Sequence, residues 1–191
     1  MKSTRRNLLA GSVAFGASLV TQRLRAEPAL SEDGFYKQPW FVDSFLELAD
    51  DLQAAAKSGK RFAIMWELRG CPYCRETHLV NFARPDIEDY VKSNFDILQL
   101  NIIGARKVTD FDGAEVSEKA LAAKYGIRFT PTVQFFPEKP ESFSGKQPDK
   151  REVARAAGYL RPDDFLAMFR FVREKEYERK SFRDYVQAVR S

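Results

Sequence analysis

Two cysteines and one histidine are the only thiol and imidazole groups in these 191 residues. They are too few for the closed four-ligand set of a structural zinc site. Arg75 follows the second cysteine, where attachment of a c-type haem would need His. There is no internal repeat, and beyond residue 26 no apolar run reaches the roughly 20 residues that span a bilayer. Basic charge is also scarcer than it first looks. The formal charge of +4 comes from 31 Lys and Arg against 27 Asp and Glu. Lys2, Arg5, Arg6, Arg23 and Arg25 all fall in the first 26 residues, leaving 26 basic against 27 acidic residues in the rest. A body so balanced has no basic footprint for nucleic acid. No metal, cofactor or nucleic acid is expected.

The basic head is better read as an address than as structure. Met1 to Asn7 carries Arg5-Arg6, Leu8 to Val20 is apolar but loosened by Gly and Ser, and Ala26 is a small residue at a plausible cleavage point. Thr4-Arg5-Arg6-Asn7-Leu8-Leu9 resembles a twin-arginine export signal. Residues 1–26 are therefore expected to be an export signal for the periplasm. Residues 27–191 suit one domain with a single core.

Within that domain the hydrophobic pattern alternates helix and strand. Apolar residues from Phe41 to Ala56 recur at helical spacing and stop at Ser58-Gly59. Phe62-Ala63-Ile64-Met65-Trp66 is too short for a helix and reads as a buried strand. A helix is predicted from the cysteines to about Phe82, another at Ile87 to Lys92, and a second buried strand at Asp96 to Ile103. Lys107 to Val116 reads as a β-hairpin turning at Asp112-Gly113. Ser117 caps a helix over Glu118 to Tyr125, which Gly126 stops. Thr132 to Phe136 is a third strand, 137–150 a polar loop and Glu152 to Gly158 an edge strand. Pro162 opens the longest helix, and Ser181-x-x-Asp184 caps a last short one. This is an α/β layer pattern. The many phenylalanines share these periodicities, so they read as core rather than as a ligand cavity.

The cysteines stand as Cys71-Pro72-Tyr73-Cys74, at a strand-to-helix junction. Two thiols at this spacing open and close as a disulfide with little backbone movement. They enclose too short a loop to act chiefly as a staple. The thiolate is the attacking species, and a free cysteine titrates near ~8.5. Cys71 meets the unpaired N–H groups and positive dipole end of the new helix, so it is the candidate nucleophile. Cys74, one turn further in, is the candidate resolving thiol. Pro72 suits the first helical turn, and Tyr73 lies on an exposed turn where it can touch a substrate.

Pro131 lies 57 residues after Cys74, within Thr130-Pro131-Thr132 and just before an apolar run. The order, with C-P-Y-C at the junction and T-P-T at a strand start, resembles the thioredoxin fold over about Val42 to Val172. The hairpin is an insertion in that fold. The resemblance implies a mixed β-sheet flanked by helices. It also implies a cis Thr130–Pro131 bond, which leaves the Thr130 backbone free to pair with a substrate beside Cys71. A typical thioredoxin has a buried Asp six residues before its first Cys; Met65 stands there in this chain. Glu67 is two residues on and so on the same strand face. It either takes over proton transfer for Cys74 or is a solvated carboxylate at a strand end. His78, four residues after Cys74, either tunes that thiol or is a packing or surface residue.

With the export signal, C-P-Y-C, T-P-T and the segment Val108 to Gly113, the chain resembles periplasmic thioredoxin-like proteins of the SoxW type. That resemblance implies a thiol–disulfide oxidoreductase of bacterial sulfur-oxidation systems. It would reduce disulfide-bearing periplasmic proteins and draw electrons from a membrane thiol transporter. The alternatives are an oxidase using the same residues in reverse, and a non-catalytic binding or chaperone module.

Overall fold

The computed structural model of the chain describes residues 28–143 and 145–190, so the expected export signal lies outside them. The chain enters through a small antiparallel hairpin, β1 (Ala29–Leu30) and β2 (Tyr36–Lys37). It then runs irregularly to α1 (Leu48–Lys57). Helix was expected from Phe41, but its first turns are not helical. Val42 N–H instead donates to Ile97 O at 2.9 Å. Leu46 takes a positive φ of 66°. Its N–H donates to Ser44 Oγ, whose hydroxyl bonds Asp51 inside α1. Phe41 is buried all the same, so its apolar spacing reported packing rather than helix.

The core strand β3 (Arg61–Glu67) is buried at every residue. It lies between β4 (Phe95–Asn101), parallel to it, and β7 (Thr132–Phe135), antiparallel. A strand covered on both faces has no need of alternation, which explains the continuous apolar run. The edge strand β8 (Ala154–Ala157) completes a mixed four-stranded sheet in the order β4-β3-β7-β8.

Helices cover both faces. On one, Leu48, Leu52 and Ala55 of α1 pack with Leu121 and Ala122 of α4 (Glu118–Lys124) against Ile64 and Trp66. On the other, α3 (Pro85–Asn94) and α5 (Pro162–Arg173) bring Ile87, Val91, Phe165 and Phe169 against Ala63, Met65, Phe95 and Phe135. Phe169 sits edge-on to Phe95, Phe135 and Phe165 at 4.8–5.1 Å between centroids. The phenylalanines are core, as their spacing indicated. The last helix, α6 (Phe182–Arg190), starts at Ser181, whose Oγ accepts from Asp184 N–H at 3.2 Å.

Strands β5 (Lys107–Thr109) and β6 (Glu115–Ser117) form the inserted hairpin. Its turn is wider than a two-residue Asp112-Gly113 turn. Asp110 N–H bonds Ala114 O, and three residues, 111–113, cross over with Gly113 at φ 80°. That is the three-residue loop that needs glycine in the left-handed position. The polar 137–150 segment is not free loop throughout: it contains 3₁₀ turns at Pro140–Phe143 and Pro148–Lys150. Phe143 stacks on Phe111 of the hairpin at 4.4 Å.

Candidate redox site

Strand β3 delivers the chain to a tight turn, Leu68 to Gly70, where Gly70 takes φ 77°. Cys71 then serves as N-cap of α2 (Pro72–Glu76), with Pro72 in its first turn. The two cysteines form a disulfide, with 5.3 Å between their Cα atoms. Cys74 is 5% exposed, while Cys71 is part-exposed at the surface. Cys71 is therefore the solvent-accessible member of the pair, and Cys74 the one covered by protein.

Cys71 Sγ accepts the Cys74 N–H at 3.1 Å and the Thr130 hydroxyl at 3.5 Å. Both donors aim at the atom that would carry negative charge after reduction, and donors to a charged form favour that form. The Thr130–Pro131 peptide is cis. Thr130 O lies 3.6 Å from Cys71 Sγ. Among the described residues, Thr130 N–H donates to no backbone carbonyl. Thr130 and Cys71 thus meet at the surface, with the buried Pro131 directly behind Thr130, although 59 residues separate Thr130 from Cys71.

That surface is apolar. Tyr73 is 59% exposed and stacks on Tyr159 at 5.8 Å between centroids. Phe129, next to Thr130, is 65% exposed. Tyr159 OH is anchored to the buried Asn81, whose amide donates to Leu160 O at 3.0 Å. Neither Phe129 nor Tyr159 stood out in the sequence. The exposed one, Phe129, has no helix or strand periodicity to place it in the core, and its position beside T-P-T was the available signal.

Beneath the disulfide, α2 continues as a π-helical turn over Thr77–Asn81, with Phe82 N–H bonding Thr77 O, rather than as plain α-helix to Phe82. Single π turns inside helices are frequent at functional sites. This one carries His78, which is fully buried and packs among Phe41, Phe82 and Tyr36. His78 Nε2 meets Glu67 Oε1 at 2.9 Å. Glu67 is 1% exposed, so the reading of it as a solvated strand-end carboxylate is corrected. It turns inward because it shares the Met65 face of β3, and the helix covers that face. His78 is likewise no surface residue. Its i+4 spacing from Cys74 places it on the inner side of the same helix.

Two further residues join this group. Gln99 of β4 donates to Glu67 Oε2 and, at 2.7 Å, to Tyr36 O. Gln38 donates through Nε2 to His78 O at 3.2 Å and faces His78 Nδ1 at 3.3 Å. A cavity of about 420 Å³ opens between the β1–β2 hairpin and the cysteine turn. Leu30 and Phe35 form one wall, and Cys71, Cys74, Glu67 and His78 another.

Against known families, the thioredoxin-like domain profile matches residues 48–173. No curated protein matches the chain. Among solved structures, a thioredoxin-fold protein from Helicobacter pylori is 20% identical, with a TM-score of 0.47, covering 74% of this chain and 93% of its own. A thioredoxin from Thermus thermophilus is 21% identical, with a TM-score of 0.48, over 66% and 83% respectively. The DsbD C-terminal domain of Neisseria meningitidis in its oxidised form is 16% identical, with a TM-score of 0.42, over 64% and 90%.

Proposed function

Because the chain belongs to the thioredoxin-like domain family, we propose that it is a thiol–disulfide oxidoreductase that reduces the disulfides of exported proteins. One observation carries this reading. Cys71 is a part-exposed residue whose sulfur is held at a helix start, with two donors aimed at it and its disulfide partner Cys74 buried beside it. In the reduced protein, the Cys71 thiolate attacks one sulfur of a substrate disulfide, forming a mixed disulfide and expelling one substrate thiolate. Cys74 then attacks Cys71 Sγ and expels the second. The substrate gains two electrons and two protons, and the Cys71–Cys74 bond closes. The exposed Tyr73 and Phe129 and the open Thr130 backbone form the landing surface for an extended substrate segment.

The setting completes the proposal. The basic, apolar leader supports export to the periplasm by the twin-arginine route, where a membrane thiol transporter would restore the dithiol. The F-D-G hairpin and the C-P-Y-C pair support the SoxW type and a place in sulfur oxidation. The test is turnover of insulin disulfides with dithiothreitol. Cys71→Ser is expected to abolish it, while Cys74→Ser accumulates a mixed disulfide visible by mass. Normal turnover by Cys74→Ser would overturn the assignment. The potential of the couple separates reductase from oxidase. Proteins of this kind run from about −270 mV to about −120 mV, and a value at the oxidising end would reverse the proposed direction.

A further inference from the structure

The β1–β2 hairpin meets the cysteine turn closely at its tip. Gly34, at φ 82°, lies so near Arg69 that a β-carbon there would meet Arg69 Cδ at 2.6 Å. Below that contact the two segments stand apart, and the cavity of about 420 Å³ separates them. Its volume falls within the usual range of small-ligand pockets, about 300–1,000 Å³. The hairpin wall is held in place rather than formed on binding. Tyr36 O accepts from Gln99 of β4 at 2.7 Å, and Gln38, just after β2, donates to His78 O at 3.2 Å. Leu30, Phe35, Tyr36, Leu68 and Pro72 make the lining largely apolar, and it reaches both cysteines. The free charge around it is cationic. Arg69 and Arg75 line the cavity, are exposed, and have no hydrogen-bond or ion-pair partner among the described residues. The carboxylate in the lining, Glu67, is buried and already bonded to His78 and Gln99. Asp33 of the hairpin lines a separate cavity. A guanidinium presents a planar fork of donors that matches a carboxylate.

Resting on the oxidoreductase reading above, we propose that this cavity binds small organic acids with an aromatic or short aliphatic body. Disulfides of thiol acids of that kind are then substrates of the Cys71–Cys74 dithiol, alongside proteins. The apolar body lies between the hairpin and the cysteine turn, and the carboxylate stays at the exposed guanidinium groups of Arg69 and Arg75. The Cys71 thiolate attacks one sulfur of the bound disulfide. That S–S bond breaks, one half leaves as a thiolate, and the other half stays on Cys71. Cys74 then attacks Cys71 Sγ and expels the second half as the Cys71–Cys74 bond closes. Two electrons pass to the small disulfide. The two protons that the cysteines lose to water are matched by the two that the released thiolates take up. Protein substrates use the Thr130 surface, whose exposed Phe129 is absent from the cavity lining. The hairpin wall lies outside the matched residues 48–173, so this second entrance is built partly by what the chain adds to the matched domain.

The test uses the full chain and naphthoate, an aromatic acid without sulfur, so that binding is read apart from redox chemistry. The oxidised wild type is expected to bind naphthoate saturably in isothermal titration calorimetry. The neutral naphthamide should bind about fivefold more weakly, the scale of two exposed ion pairs. Arg69→Gln/Arg75→Gln should lose that factor for naphthoate and nothing for naphthamide. Leu30→Ser should weaken both about fivefold through lost apolar contact. All three positions are exposed, so the variants are expected to fold. The reduced chain then meets an aromatic disulfide acid, 5,5′-dithiobis(2-nitrobenzoate), in stopped flow. The first nitrothiobenzoate released reports attack by Cys71, and the second reports closure by Cys74. The first phase should saturate with reagent, and its half-saturation should rise about fivefold in both variants. Naphthoate that fails to bind the wild type, or binds both variants as tightly, would overturn the site. Binding lost in Phe129→Ser alone would place the acid on the Thr130 surface and overturn the cavity. A first phase linear in reagent and equal in all three proteins would overturn the substrate class. A missing first phase in the wild type would instead overturn the oxidoreductase reading itself.

Discussion

Replacing Asp110 with Ala separates the stability of this fold from its redox chemistry. Asp110 begins the hairpin turn and its carboxylate is buried. It accepts from Tyr125 OH at 2.7 Å, from Arg151 at 3.0 Å and from Lys124 at 2.5 Å. It thereby joins the hairpin, α4 and the end of the 137–150 segment. Removing one partner of a buried ion pair costs roughly 3–5 kcal/mol. The lower figure applies here, because Arg151 and Lys124 both keep Asp112 at 3.0 and 2.6 Å, and Tyr125 OH keeps Arg151 at 3.2 Å. A loss of about 3 kcal/mol lowers Tm by roughly 6–12 °C in a domain of this size. Differential scanning calorimetry measures it. In an Arg151→Met background the same substitution should cost at least about 0.5 kcal/mol less, the coupling expected of residues in one network. The first phase of the aromatic-disulfide reaction should be unchanged. Phe111 packs on Phe136, whose N–H bonds Phe62 O near the start of β3, whereas the cysteines follow its end. Five residues of strand put these sites about 17 Å apart. A Tm loss under about 2 °C would refute the network as a structural clasp, and a slower first phase would tie the hairpin to the redox site.

Two smaller effects follow from the same region. Lys124, and then Arg151, hold the Asp112 carboxyl well below the usual carboxylate range. A lowered folded value means that its contribution is present above an ordinary aspartate's pH of about 3.9 and is lost as acid protonates the folded group. The Tm gap between wild type and Asp112→Asn should therefore narrow from about pH 5 to about pH 2; a constant gap would contradict the pairing. Ser117 Oγ accepts from Ala120 N–H at 3.2 Å at the start of α4. Ser117→Ala should cost about 1 kcal/mol in urea unfolding, and an unchanged midpoint would count against the cap.

The cysteine pair and the proline were legible because each is a rare residue type at a spacing that only certain chemistry uses. The central strand was legible because five consecutive apolar residues, Phe62 to Trp66, leave no polar interruption to misread. Residues 41–47 were misassigned because apolar spacing reports burial, and a segment bonded to the edge of β4 can bury Phe41 without a helix. Glu67 was harder, since a carboxylate closing a strand is ordinarily solvated and nothing in β3 says what covers its end. The missing clue lay in β4. Phe95 and Ile97 point with Gln99 to one face, and both apolar members are buried in the cluster around Met65. An amide on an otherwise apolar strand face needs a partner in the interior. Gln99 and Glu67 are polar residues on that face of adjacent strands, and His78 is the imidazole one helical turn beyond Cys74. Read jointly, those three residues predict a buried polar group under the disulfide. Gln38 could not have been added to them, because its segment has no periodicity and its place depends on a fold made by residues that follow it.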